Sequence, residues 1–240
     1  MKNIAIKNSH LIELNNIDSI WDYLNNIDNE KGPLYFSLGK RPYNQIWELQ
    51  KLLHNKRKDD KIPDIILFLE HDHVYTFGKN ADTNNLLDSK PINADVIQID
   101  RGGEVTYHGP GQLVCYPIID LHNYKLSVSW YMRILENVVM KSLNSFGISA
   151  NQKKGLSGVW VEDSKICAMG VRLAQWVSMH GFAINVNPNM KYFDSMIPCG
   201  LFEYGVTSLD ELDISCNMND LEIKIMNSFN YYLSRDLNEI

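Results

Sequence analysis

RGGEVTYHGPGQLVCYP, the stretch from Arg101 to Pro117, is the most informative part of this chain, with four glycines and two prolines among strand-forming residues. Glycine has no Cβ, so another backbone segment or a ligand can approach it closely. Proline fixes φ and removes a hydrogen-bond donor. One interpretation is a plain β-hairpin with a Gly-Pro-Gly turn. The other is a strand, Glu104 to Tyr107, whose glycine-flanked ends hold a ligand. The stretch by itself leaves both open.

The composition predicts an ordinary globular protein. A chain of 240 residues buries a sizeable core without disulfides, and we expect a single domain over residues 1–240. The hydrophobic content of 45% and the charged content of 22% are typical of this class. A net charge of -6 argues against nucleic acid as the main partner, because neutralising phosphates requires a basic surface.

The cysteines and histidines do not indicate a metal site. None of the four cysteines stands in a C-x-x-C pair, so a zinc or thioredoxin-like motif is unsupported. His71 and His73 have a spacing that can bind metal, but no third ligand follows, and we expect no metal. Residues 1–16 lack the apolar run of a signal peptide or membrane span. We therefore expect a cytoplasmic protein with reduced thiols and no membrane partner.

The pattern of apolar residues predicts many strands with a few helices. The predicted strands are Ile65–Leu69, Val74–Phe77, Val96–Ile99, Leu113–Ile119, Gly158–Val161, Ile166–Leu173 and His180–Val186. The predicted helices are Tyr43–Leu53, Ser127–Phe146 and Asn219–Leu233, the last with Asn219 and Glu222 as a capping box. Most connections between strands are too short for a βαβ crossover. The sequence therefore predicts an α+β fold with a mixed, mainly antiparallel sheet flanked by helices.

Cys199 is a candidate nucleophile because it stands between Pro198 and Gly200, in a predicted loop. Functional residues are concentrated on loops held by a rigid scaffold. Cys115 and Cys167, in contrast, fall inside predicted strands, where packing explains them. A partly exposed cysteine without a role is the alternative for Cys199.

Lys165 is a candidate partner for such a thiol. The thiolate is the nucleophile and a free cysteine has a pKa of about 8.5, so the thiol needs activation. A partly desolvated lysine favours the thiolate and can carry a proton. Lys165 precedes the apolar run Ile166–Val171, which can draw its stem toward the core. A solvated lysine at the start of a strand is the alternative.

The opening stretch resembles the signature of the octanoyltransferases of lipoate biosynthesis, the lipoyl(octanoyl) transferase family. That family carries R-G-G-x-x-T-Y-H-G-P-G-Q followed by Y-P. Further motifs stand in the family's order, namely L-E-H-x-x-V-Y-T-x-G from Leu69, G-V-W from Gly158, K-I-x-A-x-G-x-R from Lys165, H-G-x-A-x-N from His180 and I-P-C-G from Ile197. The resemblance covers about residues 43–212.

The resemblance implies a fold shared with biotin and lipoate protein ligases and a single catalytic domain. It also implies transfer of an octanoyl group from octanoyl-acyl carrier protein to a lysine ε-amine. The acceptors would be lipoyl domains of 2-oxoacid dehydrogenase E2 subunits and the glycine cleavage H protein. Cys199 would form a thioester acyl-enzyme, with Lys165 as its dyad partner. The thioester is already activated, so we expect no ATP and no cofactor.

By family position, the resemblance also implies the residues that line the acyl site. These are Arg101, Gly102, Gly103, Glu104, Val105, Thr106, Tyr107, His108, Ala168, Met169, Gly170, Gly181, Phe182 and Ala183. His108 has two open roles, orienting the thiolate or making a core hydrogen bond. An acidic carrier protein calls for a local basic patch, for which the candidates are Lys153, Lys154, Arg172 and Lys191; a solvated face is the alternative for each.

Two rival functions remain at this stage. A lipoate or biotin protein ligase would share the fold, would adenylate a free acid with ATP and would not need a cysteine in a loop. A non-catalytic module that holds acyl chains or carrier protein would form no covalent adduct with Cys199.

Overall fold

The structure, a computed structural model, describes residues 10–27, 32–79, 81–196 and 204–234. Within these residues the α-helices are α1 (Ser19–Asn26), α2 (Tyr43–Lys58), α3 (Val128–Asn144) and α4 (Met218–Leu233). The strands are β1 (Leu11–Glu13), β2 (Leu34–Arg41), β3 (Ile65–His71), β4 (Val74–Phe77), β5 (Asp95–Gln98), β6 (Thr106–His108), β7 (Gln112–Ile118), β8 (Asn151–Lys153), β9 (Leu156–Val161), β10 (Ser164–Ala174), β11 (Val177–Asn185) and β12 (Gly205–Val206). Short 3₁₀ turns occupy Thr83–Asn85, Leu121–Asn123, Met190–Ser195 and Asp210–Leu212.

A large mixed sheet forms the frame of the molecule. Its strand order is β1-β2-β3-β7-β11-β10-β9-β8, with β12 paired to β10. The pairs β1–β2, β2–β3 and β10–β12 are parallel, and the other pairs are antiparallel. The helix α2 connects β2 to β3, which supplies the long connection that parallel neighbours need. The predicted mixed, mainly antiparallel sheet flanked by helices is confirmed.

A second, three-stranded sheet has the order β5-β4-β6. β6 pairs with β4, whereas β7 pairs with β3 and β11 in the large sheet. The hairpin interpretation of the opening stretch is therefore wrong, because the Gly-Pro-Gly segment passes the chain from one sheet to the other. At the passing point the N–H of Gly111 donates to Glu70 Oε1 at 2.6 Å.

Hydrophobic cores lie on both faces of the large sheet. On one face α3 and α4 pack against strand residues that include Cys115, Cys167 and Phe182. On the other face α2 packs against strand residues that include Val114 and Ala183. Cys115 and Cys167 are fully buried, so the prediction that they serve packing agrees with their position. Among the described residues, no helix combines the length and the apolar composition that crossing a membrane requires.

The beginning of α4 differs from the sequence prediction. The cap is Asn217, whose side chain accepts a hydrogen bond from the N–H of Asn219 at 2.9 Å. Glu222 lies one turn into the helix and accepts a hydrogen bond from Ser37 Oγ instead. The predicted capping box of Asn219 and Glu222 is therefore wrong. Asn217 and Asn219 are both suitable N-cap residues by sequence, and the side chain of Glu222 binds Ser37 on β2 instead of the helix start.

Candidate active site

A pocket, here called the central pocket, lies between the two sheets and encloses about 310 Å³ of unoccupied space, part of it open to solvent. Its lining residues are Tyr43, Arg101, Thr106, His108, Tyr116, Ala168, Met169, Gly170, His180, Gly181, Phe182 and Ala183. They come from α2, the loop before β6, β6 itself, and the strands β7, β10 and β11.

Small residues on two neighbouring strands leave the space for the pocket. Ala168 on β10 is opposite Ala183 on β11, and Gly170 is opposite Gly181. Partners in register share a face of the sheet, and so do residues two apart on one strand. The four residues therefore form one patch, here called the small-residue patch, without side-chain atoms beyond Cβ. The short side chains leave room above the sheet for a ligand.

The loop before β6 packs against this patch. A Cβ on Gly170 would lie 3.0 Å from Arg101 Cδ and 3.0 Å from the carbonyl oxygen of Gly102. A Cβ on Gly78 would collide with the carbonyl oxygen of Gly103. Gly78 is therefore required by the close approach of backbone, and a side chain at Gly170 would force the loop to shift.

Arg101 is buried and joins the two sheets through this loop. Its Nη2 donates to the carbonyl oxygen of Thr76 at 2.8 Å, and to Oγ1 of the same residue at 3.1 Å. The N–H of Gly102 donates to the carbonyl oxygen of Val171 on β10 at 3.2 Å. Hydrogen bonds from a charged group hold more firmly than neutral ones, so the guanidinium fixes the loop over the pocket.

Two neutral histidines lie close together here, with His108 in the pocket lining and the His71 ring centred 5.9 Å from it. His71 donates from Nδ1 to the carbonyl oxygen of Arg41 at 2.8 Å, and its Nε2 accepts from the Tyr116 hydroxyl at 2.9 Å. Burial lowers the pKa of His71 to about 4. Burial likewise holds the pKa of His108 well below its usual value, with the nearby His71 and Arg101 adding to the effect. Both rings are therefore uncharged at neutral pH.

A chain of hydrogen bonds runs from the pocket to Lys165. His108 Nδ1 donates to Gln112 Oε1 at 3.2 Å, and Gln112 Nε2 donates to Asn185 Oδ1 at 2.9 Å. Asn185 Nδ2 donates to the carbonyl oxygen of Thr207 at 2.9 Å, and the N–H of Thr207 donates to the carbonyl oxygen of Lys165 at 3.1 Å. Of the two roles left open for His108, the structure shows the core hydrogen bond.

His180 lines the pocket in an unusual backbone conformation. Its φ is +61°, although it lies inside β11 and is not glycine. Non-glycine residues held at positive φ cluster at functional sites. Its Nε2 contacts Asp100 Oδ1 at 2.9 Å, and Arg172 Nη1 contacts Asp100 Oδ2 at 2.8 Å. The hydrogen bond from His180, together with Arg172, lowers the pKa of Asp100 to about 2.

Lys165 is buried, with 8% of its surface exposed, at the start of β10. Its Nζ lies 4.7 Å from the centre of the Trp160 ring. A Cβ on Gly158 would lie 2.6 Å from the carbonyl oxygen of Cys167, so this glycine lets β9 approach β10 closely beside the Lys165 stem. The parallel strand β12 pairs Val206 with Lys165. Cys199 and the loop predicted around it lie outside the described residues.

The predicted family can be tested by comparison with known proteins. Residues 42–230 match the family model of the lipoyl protein ligase A/B catalytic domain. The octanoyltransferase of Christiangramia forsetii is 41% identical over 84% of this chain and 95% of the relative. That of Flavobacterium johnsoniae is 44% identical over 72% of this chain and 83% of the relative. The chain belongs to the octanoyltransferase family. It is accordingly an acyltransferase enzyme, as the resemblance implied.

A solved structure agrees on the fold. The bi-partite lipoate protein ligase of Thermoplasma acidophilum superimposes with a TM-score of 0.65 at 16% identity, covering 83% of each chain. At this identity the likeness concerns the fold alone. The octanoyltransferase sequence therefore adopts the ligase-like fold that its motifs implied.

The structure gathers much of the predicted octanoyltransferase acyl site around one pocket. The lining includes nine of the predicted residues, namely Arg101, Thr106, His108, Ala168, Met169, Gly170, Gly181, Phe182 and Ala183. Gly102 and Gly103 lie in the loop. Glu104 Oε2 accepts hydrogen bonds from the backbone N–H of Asp82 and from the side-chain amide of Asn85. Val105 and Tyr107 are buried in a separate cluster beside β4. Their roles toward a ligand stay predictions.

The sequence prediction missed three lining residues, Tyr43, Tyr116 and His180. Tyr116 and His180 are part of the octanoyltransferase motifs quoted above, so their positions in those motifs could have predicted them as lining residues. Tyr43 stands in none of the motifs and reaches the pocket only because α2 packs there.

The side chains considered for metal and carrier binding are largely engaged with protein atoms. His73 Nδ1 pairs with the Tyr107 hydroxyl at 2.7 Å, and both ring nitrogens of His71 are occupied. In the described part of the chain, no three His, Cys, Asp or Glu side chains come together as metal ligands. Among the basic candidates, Lys153 pairs with Asp163 and Arg172 with Asp100.

Proposed function

We propose that this enzyme transfers an octanoyl group from acyl carrier protein to a lysine ε-amine of lipoyl domains, in the cytoplasm, as the first step of endogenous protein lipoylation. Membership of the octanoyltransferase family supports the acyl group. The observation that carries the proposal is the central pocket, whose patch of alanines and glycines lies on β10, the strand of Lys165, and on the adjacent β11. The acceptors would be E2 lipoyl domains and the glycine cleavage H protein.

In the first half-reaction, the thiolate of Cys199 attacks the thioester carbonyl of the donor. The new carbon–sulfur bond forms a tetrahedral oxyanion, which collapses when the bond to the carrier sulfur breaks. The carrier thiolate takes a proton from the ammonium of Lys165. Covalent catalysis of this kind splits one transfer into two easier steps.

In the second half-reaction, the target lysine amine attacks the acyl-enzyme. Neutral Lys165 accepts the proton that the amine loses, the bond to Cys199 breaks, and the thiolate with its lysine ammonium is restored. The support for Lys165 is its burial beside Trp160, on the strand β10 that also carries half of the small-residue patch. β12, which follows Cys199 by six residues in the sequence, is paired beside Lys165.

The decisive experiment is intact-mass spectrometry after exposure to octanoyl-acyl carrier protein without nucleotide. We expect one octanoyl adduct on the wild type and none on Cys199→Ala. Cys216→Ala is the control, since Cys216 is a partly exposed cysteine outside the family motifs and its loss should leave the adduct unchanged. Adding a lipoyl domain should discharge the adduct to an amide on the domain.

Two outcomes would count against this proposal. A wild type that stays unmodified points to a module that only binds acyl groups. Amide product that appears only when ATP and free octanoate are supplied points to ligase chemistry.

A further inference from the structure

Trp160 lies directly beside Lys165 in the large sheet. The two residues are register partners on the antiparallel strands β9 and β10, so their side chains share one face of the sheet. The Nζ of Lys165 lies over the Trp160 ring, 4.7 Å from its centre. Both residues are buried, with 2% of Trp160 and 8% of Lys165 exposed. The quadrupole of an indole ring attracts an ammonium over its face, and the attraction is stronger where water is excluded.

The same ring contacts the chain that follows Cys199. Tyr204, five residues after Cys199, packs edge-on against Trp160, with ring centres 5.3 Å apart and an angle of 64° between the planes. The next residues form β12, in which Val206 pairs with Lys165. Trp160 therefore connects Lys165 to the segment just beyond Cys199.

These contacts are made by the ring of Trp160 and not by its N–H. Nε1 is buried and has no hydrogen-bond partner among the described residues. Trp160 also lies outside the lining of the central pocket, so its substitution should leave the binding of an acyl chain there unchanged.

Other ionisable groups near this cluster are paired or neutral. They are Lys153 and Asp163, which pair with each other, Glu136, which pairs with Arg133, and Cys167, whose thiol has its pKa raised by burial. The Nζ of Lys153 lies 5.4 Å from the centre of the Trp160 ring, farther than the Nζ of Lys165. The ring therefore holds the charge of Lys165 more closely than that of Lys153.

We propose that Trp160 is a positioning residue for the reacting pair, because its ring holds the ammonium of Lys165 beside the chain that carries Cys199. This inference rests on the proposed dyad of Lys165 and Cys199. The contact with the ring stabilises the charged form of the lysine, and the positive charge in turn stabilises the thiolate. An aliphatic side chain in place of the ring should therefore keep Cys199 protonated to higher pH.

The test is the pH profile of Cys199 alkylation by iodoacetamide. It is measured in a Cys216→Ala background, where the other cysteines, Cys115 and Cys167, are fully buried. Trp160→Leu should move the profile to higher pH by about one unit, since a desolvated cation–π contact changes an equilibrium by about tenfold or more. Trp160→Phe keeps a ring face and should move the profile by less than Trp160→Leu does.

Trp47→Leu is the matched control. Trp47 also lies under a lysine ammonium, with Lys51 Nζ 3.9 Å from its ring centre, and its Nε1 is likewise buried without a partner among the described residues. This variant should keep the wild-type alkylation profile, because its ring is not in contact with Lys165.

A second measurement preserves the shape of the side chain and decides the matter if Trp160→Leu fails to fold. Tryptophan analogues with an increasing number of fluorines are introduced at position 160. Fluorine withdraws electron density from the face of the ring, and this density is what attracts the cation. The alkylation profile should therefore move progressively to higher pH as fluorines are added.

Three results would overturn the proposal, namely an unchanged profile in Trp160→Leu, equal shifts in the leucine and phenylalanine variants, or no trend with fluorine content. A merely structural role would lower the free energy of unfolding without moving the profile. Alkylation requires no acyl donor, so a wild type that forms no octanoyl adduct refutes acyl transfer while the profile still tests Trp160. If Lys165→Ala moves the profile and Trp160→Leu does not, the dyad stands and the role of Trp160 fails.

Discussion

The replacement of Glu222 by glutamine should make the stability of this protein less sensitive to pH. Glu222 lies on α4 with 5% of its surface exposed and accepts a hydrogen bond from Ser37 Oγ at 3.0 Å. Burial raises the pKa of this carboxyl from 4.5 to about 7, with the charges of Glu13 and Glu70 adding to the effect. The hydrogen bond from Ser37 opposes the rise but does not cancel it.

The direction and size of the effect follow from the two pKa values. The folded state keeps the proton to higher pH than the unfolded state, so the contribution to stability is complete below pH 4.5 and is lost as the pH rises to about 7. A difference of about 2.5 pH units at 1.36 kcal/mol each gives roughly 3 kcal/mol. Glutamine keeps the acceptor for Ser37 and cannot ionise. Glu222→Gln should therefore be about 3 kcal/mol more stable than the wild type at about pH 8, and equal to it near pH 4.5.

Urea denaturation across this pH range measures the difference directly, since the other titrating groups cancel between the two proteins. Glu211→Gln, at an exposed glutamate, controls for the loss of one negative charge. A Glu222→Gln advantage that does not change with pH, or that appears at low pH, would refute the reasoning.

Three further perturbations have defined outcomes. Gly170→Ala places a Cβ 3.0 Å from Arg101 Cδ, so it should lower the free energy of unfolding by about 1–3 kcal/mol in urea denaturation. It should also weaken octanoate binding in calorimetry, and unchanged binding would show that the loop is not part of the pocket wall. Asp64→Ala removes the buried carboxylate partner of Arg57 and the acceptor of the Tyr124 hydroxyl, while the ion pairs of Arg57 with Asp60 and Asp120 remain. It should lower the free energy of unfolding by about 1–3 kcal/mol in urea denaturation, and a loss below about 0.5 kcal/mol would show that the remaining ion pairs compensate. Lys165→Ala should shift alkylation of Cys199 to higher pH, measured in a Cys216→Ala background, and an unchanged profile would exclude Lys165 as its activator.

Asp100 connects His180 to the loop that covers the pocket. Asp100, which fixes the His180 ring, is the residue before Arg101, and Arg101 packs on Gly170. Loop position and ring orientation therefore depend on adjacent residues of one segment. Substitutions at Asp100 should therefore disturb both the loop that covers the pocket and the orientation of the His180 ring.

Several elements could be predicted because local patterns encode them. The apolar run Ile65–Leu69 became β3, and the periodic run Ser127–Phe146 became α3, with Ser127 as its cap. The motifs identified the family and most of the pocket lining. The capping box failed because Asn217 and Asn219 both fit the local rule. Only the packing of Glu222 against β2 decided between them.

The sequence by itself determined which strands carry the small residues and which residues belong to the octanoyltransferase motifs, because these features are written in order along the chain. Tertiary structure alone decided that β6 and β7 part into different sheets, so that the glycine-rich loop covers a pocket instead of turning a hairpin. It also decided that His180 and Asp100 meet across 80 positions of sequence. Local periodicity predicts which face of a strand or helix a residue lies on. The residues that it contacts across the sheet depend on long-range strand pairing, which no short sequence pattern contains.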